Sequence, residues 1–380
     1  MTTIGTEFAM NVLEQKVIEK IKKEGPITFE TFMEMALYEP GLGYYASERT
    51  EIGKEGDFYT SPHLHPAFGA MVGKQIEEMW EIMQRPEDFH ILEIGGGAGY
   101  LCKDILDYLA RRSSIPAAYI IVETNPFMKQ KQENRLEGFL DRVTWVSSLE
   151  KIKTIQGCIL SNELLDAFPV HLIEMESDLK EIYVTSLDNS LVEVTNCLST
   201  EEITDYMNEF SITLAKGYRT EINLRIKDWL RSIDKILPEG FILTIDYGYP
   251  SWDYYGEDRN RGTLLSYHKH QIAENVYQNI GEQDLTAHVN FSSVKKWGEE
   301  FGLKTLGFCQ QGTFLISLGI DELMTDLYQN SSDYLFEISR IKRLIFPGTM
   351  GESHKVIVQY KGNGYPKLRG FSIKNQADKL

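Results

Sequence analysis

The sequence predicts an α/β fold: a mostly parallel, seven-stranded sheet with helices on both faces, carrying an N-terminal helical segment and insertions. Three observations lead there. From residue 66 onward, short apolar runs alternate with stretches of helical periodicity. The runs are apolar at successive positions, as in strands buried on both faces. The first of them ends in a glycine cluster that opens a helix, Glu93-Ile94-Gly95-Gly96-Gly97-Ala98-Gly99.

The elements follow in chain order. Met1 to Met10 has no basic n-region or apolar h-region, so it does not read as a secretory signal; it is expected to be a leader. Val12, Val17, Ile18 and Ile21 form a helical stripe that Gly25-Pro26 ends. A second short helix is expected from Phe29 to Leu37. Two loop stretches come next, Tyr38 to Tyr45 and Gly56 to Pro62, rich in glycine and proline yet too aromatic for a plain linker. Residues 1–65 are therefore read as an N-terminal helical and lid segment.

The core is expected over residues 66–184 and 237–361. Its strands are Phe89–Ile94, Tyr119–Glu123, Val143–Val146, Cys158–Ser161, Phe241–Ile245, Leu303–Gln310 and Lys355–Lys361. Helices are expected over 66–83, 101–111 and 129–136, with another from Asn290 to Phe301 that starts at Asn290 or Ser292. Residues 170–185 alternate like a hairpin. Residues 185–236 are read as a helical insertion, 250–290 as a polar insertion on the substrate side, and 362–380 as a tail.

Composition narrows the function. The 380 residues carry 39 basic and 56 acidic side chains, a net charge of −17, which argues against a general nucleic-acid binder. No apolar run is long enough for a membrane helix. Cys102, Cys158, Cys197 and Cys309 form no C-x-x-C pair and are read as buried free thiols of a reducing, cytoplasmic compartment. His63-Leu64-His65 and His268-Lys269-His270 are H-x-H pairs with no completing ligands, so no metal is expected.

The glycine loop sits where an open α/β sheet binds nucleotides and related ligands. Its glycines permit a sharp turn and close approach, and the helix start offers free N–H groups. A dinucleotide fingerprint requires a further glycine where this chain has Tyr100. The spacing here is G-x-G-x-G after Glu93, the pattern of class I S-adenosylmethionine (SAM) methyltransferases. Glu123 ends the second strand, where a carboxylate can accept hydrogen bonds from ribose hydroxyls; an NAD enzyme would use an acid in the same way. The fourth strand ends in Asn162-Glu163-Leu164-Leu165-Asp166, polar groups in an apolar setting. A plain helix-capping role is the alternative for Glu163 and Asp166.

These stretches resemble the MidA-like SAM-dependent methyltransferases, a family with bacterial and mitochondrial members. The resemblance spans nearly the whole chain. It is carried by Met35-Ala36-Leu37-Tyr38 with Pro40 and Gly43-Tyr44-Tyr45, by Gly56-Asp57-Phe58 with Thr60-Ser61-Pro62, by Glu93 to Gly99, and by Asn162 to Ala167. Asp246-Tyr247-Gly248, Gly262-Thr263-Leu264 with Tyr267 and His270, Asp284 to Val289, and Met350-Gly351-Glu352 complete it. His63, His65 and Gly96-Gly97-Ala98 depart from the family pattern.

The resemblance implies a class I, Rossmann-like methyltransferase with SAM as donor and S-adenosylhomocysteine as product. Glu93, Gly95, Gly97, Gly99, Glu123, Asp57, Thr60 and Ser61 are the expected cofactor residues. Glu163 and Asp166 are expected to orient the acceptor, with Asn162 and His288 lining it. The mitochondrial branch implies a protein arginine as acceptor, with a respiratory-complex subunit as candidate partner and the matrix as the location of eukaryotic relatives. A small-molecule O- or N-methyltransferase and a SAM-binding assembly factor without turnover stand as alternatives; an NAD oxidoreductase is disfavoured by Tyr100.

Overall fold

Seven strands make up the central sheet of the computed structural model: β1 Phe89–Ile94, β2 Tyr119–Val122, β3 Val143–Val146, β4 Gln156–Asn162, β5 Glu239–Tyr249, β6 Lys304–Gln310 and β7 His354–Lys361. Their order across the sheet is β6-β7-β5-β4-β1-β2-β3. The pairs from β5 through β3 are parallel, whereas β7 runs antiparallel to both β5 and β6. A two-residue strand, Val289–Asn290, pairs in parallel with the end of β5. The structure describes residues 11–48, 61–112, 118–269, 271–273, 275–328 and 333–380.

The strand order reverses at β1. The chain moves outward from β1 to β2 and β3, then returns to place β4 on the other side of β1. Such a reversal opens a crevice at the carboxyl ends of the two strands. Apolar side chains cover the sheet: Phe68, Val72 and Ile76 from one helix, Ile105 and Leu109 from another, packed with Phe89, Leu160, Phe241 and Val358. Two helix starts near the sheet's rim are written locally. Asn125 caps Pro126–Arg135 by accepting from the N–H of Phe127 (2.9 Å), with Pro126 in the first turn, where a missing N–H costs nothing. Asn290 caps Phe291–Glu300 by accepting from Ser292 N (3.0 Å).

The chain divides into two compact units. The sheet unit comprises residues 51–168, 224–258 and 288–380, and the second comprises 1–50, 169–223 and 259–287. Several expectations about organisation change accordingly. The hairpin His171–Met175 with Leu179–Leu187 is not part of the core sheet. It pairs with Ile27–Thr28 and Arg219–Ile222 in the second unit. Residues 185–236 are not a purely helical insertion, because they hold strands Ser190–Asn196 and Arg219–Ile222 as well as helices Glu202–Glu209 and Arg225–Ile236. The missed hairpin turn is Asp188-Asn189, both at positive φ (49° and 60°), with Leu187 paired to Ser190. Asp and Asn tolerate that conformation, so the dipeptide was the available signal. Helix Arg225–Ile236 belongs to the sheet unit, as does the segment 362–380, which buries Leu368 and Phe371 and donates Gln376 N to Phe308 O (2.7 Å). Cys197, expected to be buried, is exposed beyond the edge strand; the other three thiols are buried.

In the second unit, a buried carboxylate explains Gly262-Thr263-Leu264. Glu221 accepts from Thr263 N (2.9 Å), Thr263 Oγ1 (3.1 Å) and Leu264 N (3.0 Å). Tyr45 similarly donates to the buried Asp284 (2.8 Å). These motif residues hold loops.

Phe241 lies fully buried in β5 against Tyr360. Phe241→Ala is expected to destabilise the sheet unit by about 3–5 kcal/mol, read from urea unfolding.

Candidate active site

Backbone register brings the functional residues to one edge of the sheet. Ile94 at the end of β1 pairs with Ser161, Asn162 at the end of β4 pairs with Ile245, and Tyr247 near the end of β5 pairs with His354 at the start of antiparallel β7. Residues separated by 261 positions, Glu93 and His354, are thereby held on one rim by ladder hydrogen bonds.

On the β1 side, Gly95, Gly97 and Gly99 all adopt positive φ (74°, 49° and 81°), a conformation that suits glycine. A Cβ on Gly97 would meet nothing within 4 Å, so the turn faces open space. Glu93 lies beneath it, 2% exposed, accepting a hydrogen bond from Tyr119 Oη (2.8 Å). Burial pushes its carboxyl up to about 7, the Tyr119 hydroxyl opposes this, and the charge of Glu123 adds to it. Glu123 is half-buried and accepts from Asn125 N (2.8 Å) and Gln132 Nε2 (2.9 Å). A carboxylate has capacity for further donors beyond these two.

Gln132 was not foreseen. It is fully buried, donates to Gly97 O (2.7 Å) as well as to Glu123, and accepts from Trp145 Nε1 (2.8 Å). One amide therefore ties the glycine turn to the acid at the end of the second strand. Its neighbours, Lys129-Gln130-Lys131 and Glu133, give no sign of this in sequence. Arg135 donates to Ala98 O (2.7 Å) and lies over the ring of Tyr100, fastening the same turn from outside.

On the β4 side, Glu163 adopts φ +50°, uncommon for a side chain of its kind, and its N–H donates to Ile245 O (2.8 Å). Its carboxylate is nearly buried, accepting from Asn162 Nδ2 (3.1 Å) and Ser61 N (3.4 Å), with His354 Nε2 at 3.6 Å. Asp166, 3% exposed, accepts from the hydroxyl of Tyr247. Burial raises its carboxyl to about 7, the Tyr247 hydroxyl opposes this, the charge of Glu163 adds to it, and His354 opposes it. Asp246 is fully buried and accepts from the N–H groups of Leu164 (3.1 Å), Leu165 (2.9 Å) and Tyr247 (2.9 Å). Burial first, then Asp166, hold its carboxyl well above the usual range.

The expected residues are thus only partly assembled as envisaged. Glu93, the three glycines, Glu123, Asn162, Glu163 and Asp166 share the rim. His288 joins through the rings of Tyr247 (5.1 Å) and Tyr249 (5.3 Å). Ser61 is buried with its hydroxyl donating to Gln311 Oε1 (3.0 Å), so it braces Glu163 through its N–H. Asp57 and Thr60 lie outside the described residues, as does His270. His63 packs on Tyr100 (4.5 Å), and His65 accepts from Ala67 N while its other nitrogen faces Glu337 (3.1 Å).

Fold and rim together define a class I SAM-binding architecture: an acid beneath a glycine turn, a second acid one strand over, and a reversal of strand order at β1. A family model described as "Putative S-adenosyl-L-methionine-dependent methyltransferase" matches residues 71–309. The chain belongs to that family and is a SAM-dependent methyltransferase. It is 26% identical to the mitochondrial protein arginine methyltransferase NDUFAF7 homolog of Drosophila melanogaster over 401 residues, covering 95% of this chain and 88% of that one. It is also 26% identical to the NDUFAF7 protein of Xenopus tropicalis, covering 85% and 79%. Among solved structures, a "likely methyl transferase from Burkholderia thailandensis bound to S-adenosyl-homocysteine" superposes with a TM-score of 0.90 at 28% identity, covering 97% of this chain and 96% of that one. Among the described residues no helix is long and apolar enough to cross a membrane.

A carboxyl raised by folding holds its proton more tightly than in the unfolded chain, so its contribution to stability is present at low pH and is lost as pH rises through the folded value. Between pH 6 and 8 the ligand-free protein is expected to lose stability, and Glu93→Gln to lose about 1–2 kcal/mol less, measured by urea unfolding at both pH values.

Proposed function

We propose that this methyltransferase acts on an arginine side chain of a protein, with Glu163 and Asp166 holding the guanidinium. The observation that carries the reading is a pair of nearly buried carboxylates at the end of β4, adjoining the strand that bears the glycine turn. Asp166 Oδ1 and Asn162 Oδ1 are buried there without hydrogen-bond partners among the described residues. Buried acceptors left unpaired are costly, and a donor-rich cation would satisfy them. Guanidinium offers five N–H donors in a planar fork that matches paired carboxylates. The relatives named as protein arginine methyltransferases support the same acceptor.

The residues on the rim fit SAM. Gly97 faces open space in a turn that a side chain would obstruct, Glu93 places an anion beneath it for the ammonium group, and Glu123 retains acceptor capacity for ribose hydroxyls. SAM supplies, when bound, an electrophilic methyl group on a sulfonium. The chain's contribution is positioning and charge. Glu163 and Asp166 fix the guanidinium plane, aim one nitrogen, and receive the proton that this nitrogen gives up on methylation. Asn162 holds Glu163 through its amide. A respiratory-complex subunit as the protein substrate fits the mitochondrial relatives.

Glu163→Gln is expected to bind SAM within about twofold of wild type while its single-turnover methylation of arginine-bearing protein falls by about 100-fold or more. Full turnover in that variant would remove Glu163 from the acceptor role. Glu93→Gln is expected to weaken SAM binding at pH 8 by at least about tenfold, since a charge-assisted contact to the ammonium is lost; isothermal calorimetry reads it directly.

A further inference from the structure

We infer that Tyr247 is a positioning residue for the acceptor: its hydroxyl aims Asp166 and favours the ionised carboxylate that a cation needs. This rests on the arginine reading for its consequence, but its physical basis is independent. Asp166 has two oxygens with different fates. One accepts from the Tyr247 hydroxyl, and the other, Oδ1, is buried without a partner among the described residues. The hydroxyl therefore fixes the carboxylate's rotation and leaves one face for a ligand.

The need for such a donor follows from what surrounds Asp166. Glu163 comes from the end of β4, nearly buried. Asp246 comes from β5, fully buried. His354 starts β7, with Nε2 3.6 Å from Glu163. His288 packs on the rings of Tyr247 (5.1 Å) and Tyr249 (5.3 Å). Three buried carboxylates thus share one small region, and like charges so placed resist joint ionisation. Asp246 accepts from three backbone N–H groups, and Glu163 from Asn162 and Ser61. For Asp166 the side-chain donor, acting beside the backbone N–H of Ala167, is the tyrosine hydroxyl. Its ring is held by His288 on one side (5.1 Å) and His354 on another (5.4 Å), and its backbone N–H donates to Asp246. Tyr247 is consequently immobilised at both ends, as a residue that sets another group's orientation must be.

The consequence is a proton-linked acceptor site. Protonated Asp166 cannot pair with a guanidinium, so cation binding requires it to be ionised. Removing the hydroxyl removes a stabiliser of the ionised form, and the titration of Asp166 moves upward.

The test uses full-length protein with 13C-labelled aspartate carboxyl groups. The Asp166 signal is assigned by its loss in Asp166→Asn and followed against pH. Tyr247→Phe keeps the ring contacts and deletes only the hydroxyl. It is expected to raise the Asp166 midpoint by about one to two pH units, the shift that corresponds to losing one hydrogen bond to a charged group. In single-turnover methylation of arginine-bearing protein, the acid limb of the pH profile moves up by the same amount, and the rate approaches wild type at high pH. SAM affinity stays unchanged. An unmoved midpoint overturns the inference, as does a loss of rate that is the same at every pH. A moved midpoint with no methylation of any arginine substrate supports the Tyr247–Asp166 coupling and overturns the arginine reading instead.

Discussion

The turn after β4, which carries Glu163 and Asp166, depends on one buried carboxylate. Asp246 gathers the N–H groups of Leu164, Leu165 and its own neighbour Tyr247, so the turn after β4 is stitched to the end of β5. That turn carries Glu163 in a left-handed conformation and Asp166 two residues after the anchored Leu164. A buried carboxyl is tolerated when hydrogen bonds surround it, and the backbone donors here are ones the turn would otherwise leave unpaired. This anchor and the Glu163 N–H bond to Ile245 O (2.8 Å) together hold Glu163 at positive φ.

Gln132 plays the corresponding part at the glycine turn. Its amide bridges the carbonyl of Gly97 and the carboxylate of Glu123, while Trp145 donates to its oxygen. Both sides of the crevice thus share a design. On each side a fully buried polar group, Asp246 or Gln132, fastens the turn that carries the rim residues. Preorganisation of that kind lets an enzyme position reactants without spending binding energy on its own rearrangement. The concentration of acids on the rim also has a chemical sense. Glu93 is poised near neutrality by burial, and Asp166 likewise, so both gain most from cationic partners.

Much of this was readable in advance. The seven core strands lie where the apolar runs place them, because strands buried on both faces need unbroken hydrophobicity, and few other elements produce it in so short a stretch. The glycine turn, Glu123 and the Asn162-Glu163 strand end were legible because a ligand site on an open sheet must lie at carboxyl ends. The second unit was harder. Its outer strand Ser190–Asn196 is exposed or half-exposed throughout, so its pattern weakens to β-branched residues among polar ones, and it reads as part of a helical stretch until Asp188-Asn189 is recognised as a two-residue turn.

The sequence alone therefore determined the order of elements, the class of fold and the residue types at the ligand rim, since periodicity and turn chemistry are local. Tertiary structure decided which of those residues cooperate. Ser61 became a brace because Gln311, 250 positions away, takes its hydroxyl. His354 reached Glu163 because β7 runs antiparallel into the sheet and begins where β4 ends. Tyr247 met Asp166 because the register of β4 and β5 brings the turn after β4 against the end of β5. Contacts of this kind depend on strand pairing between distant segments, and pairing is fixed by the packing of the whole sheet.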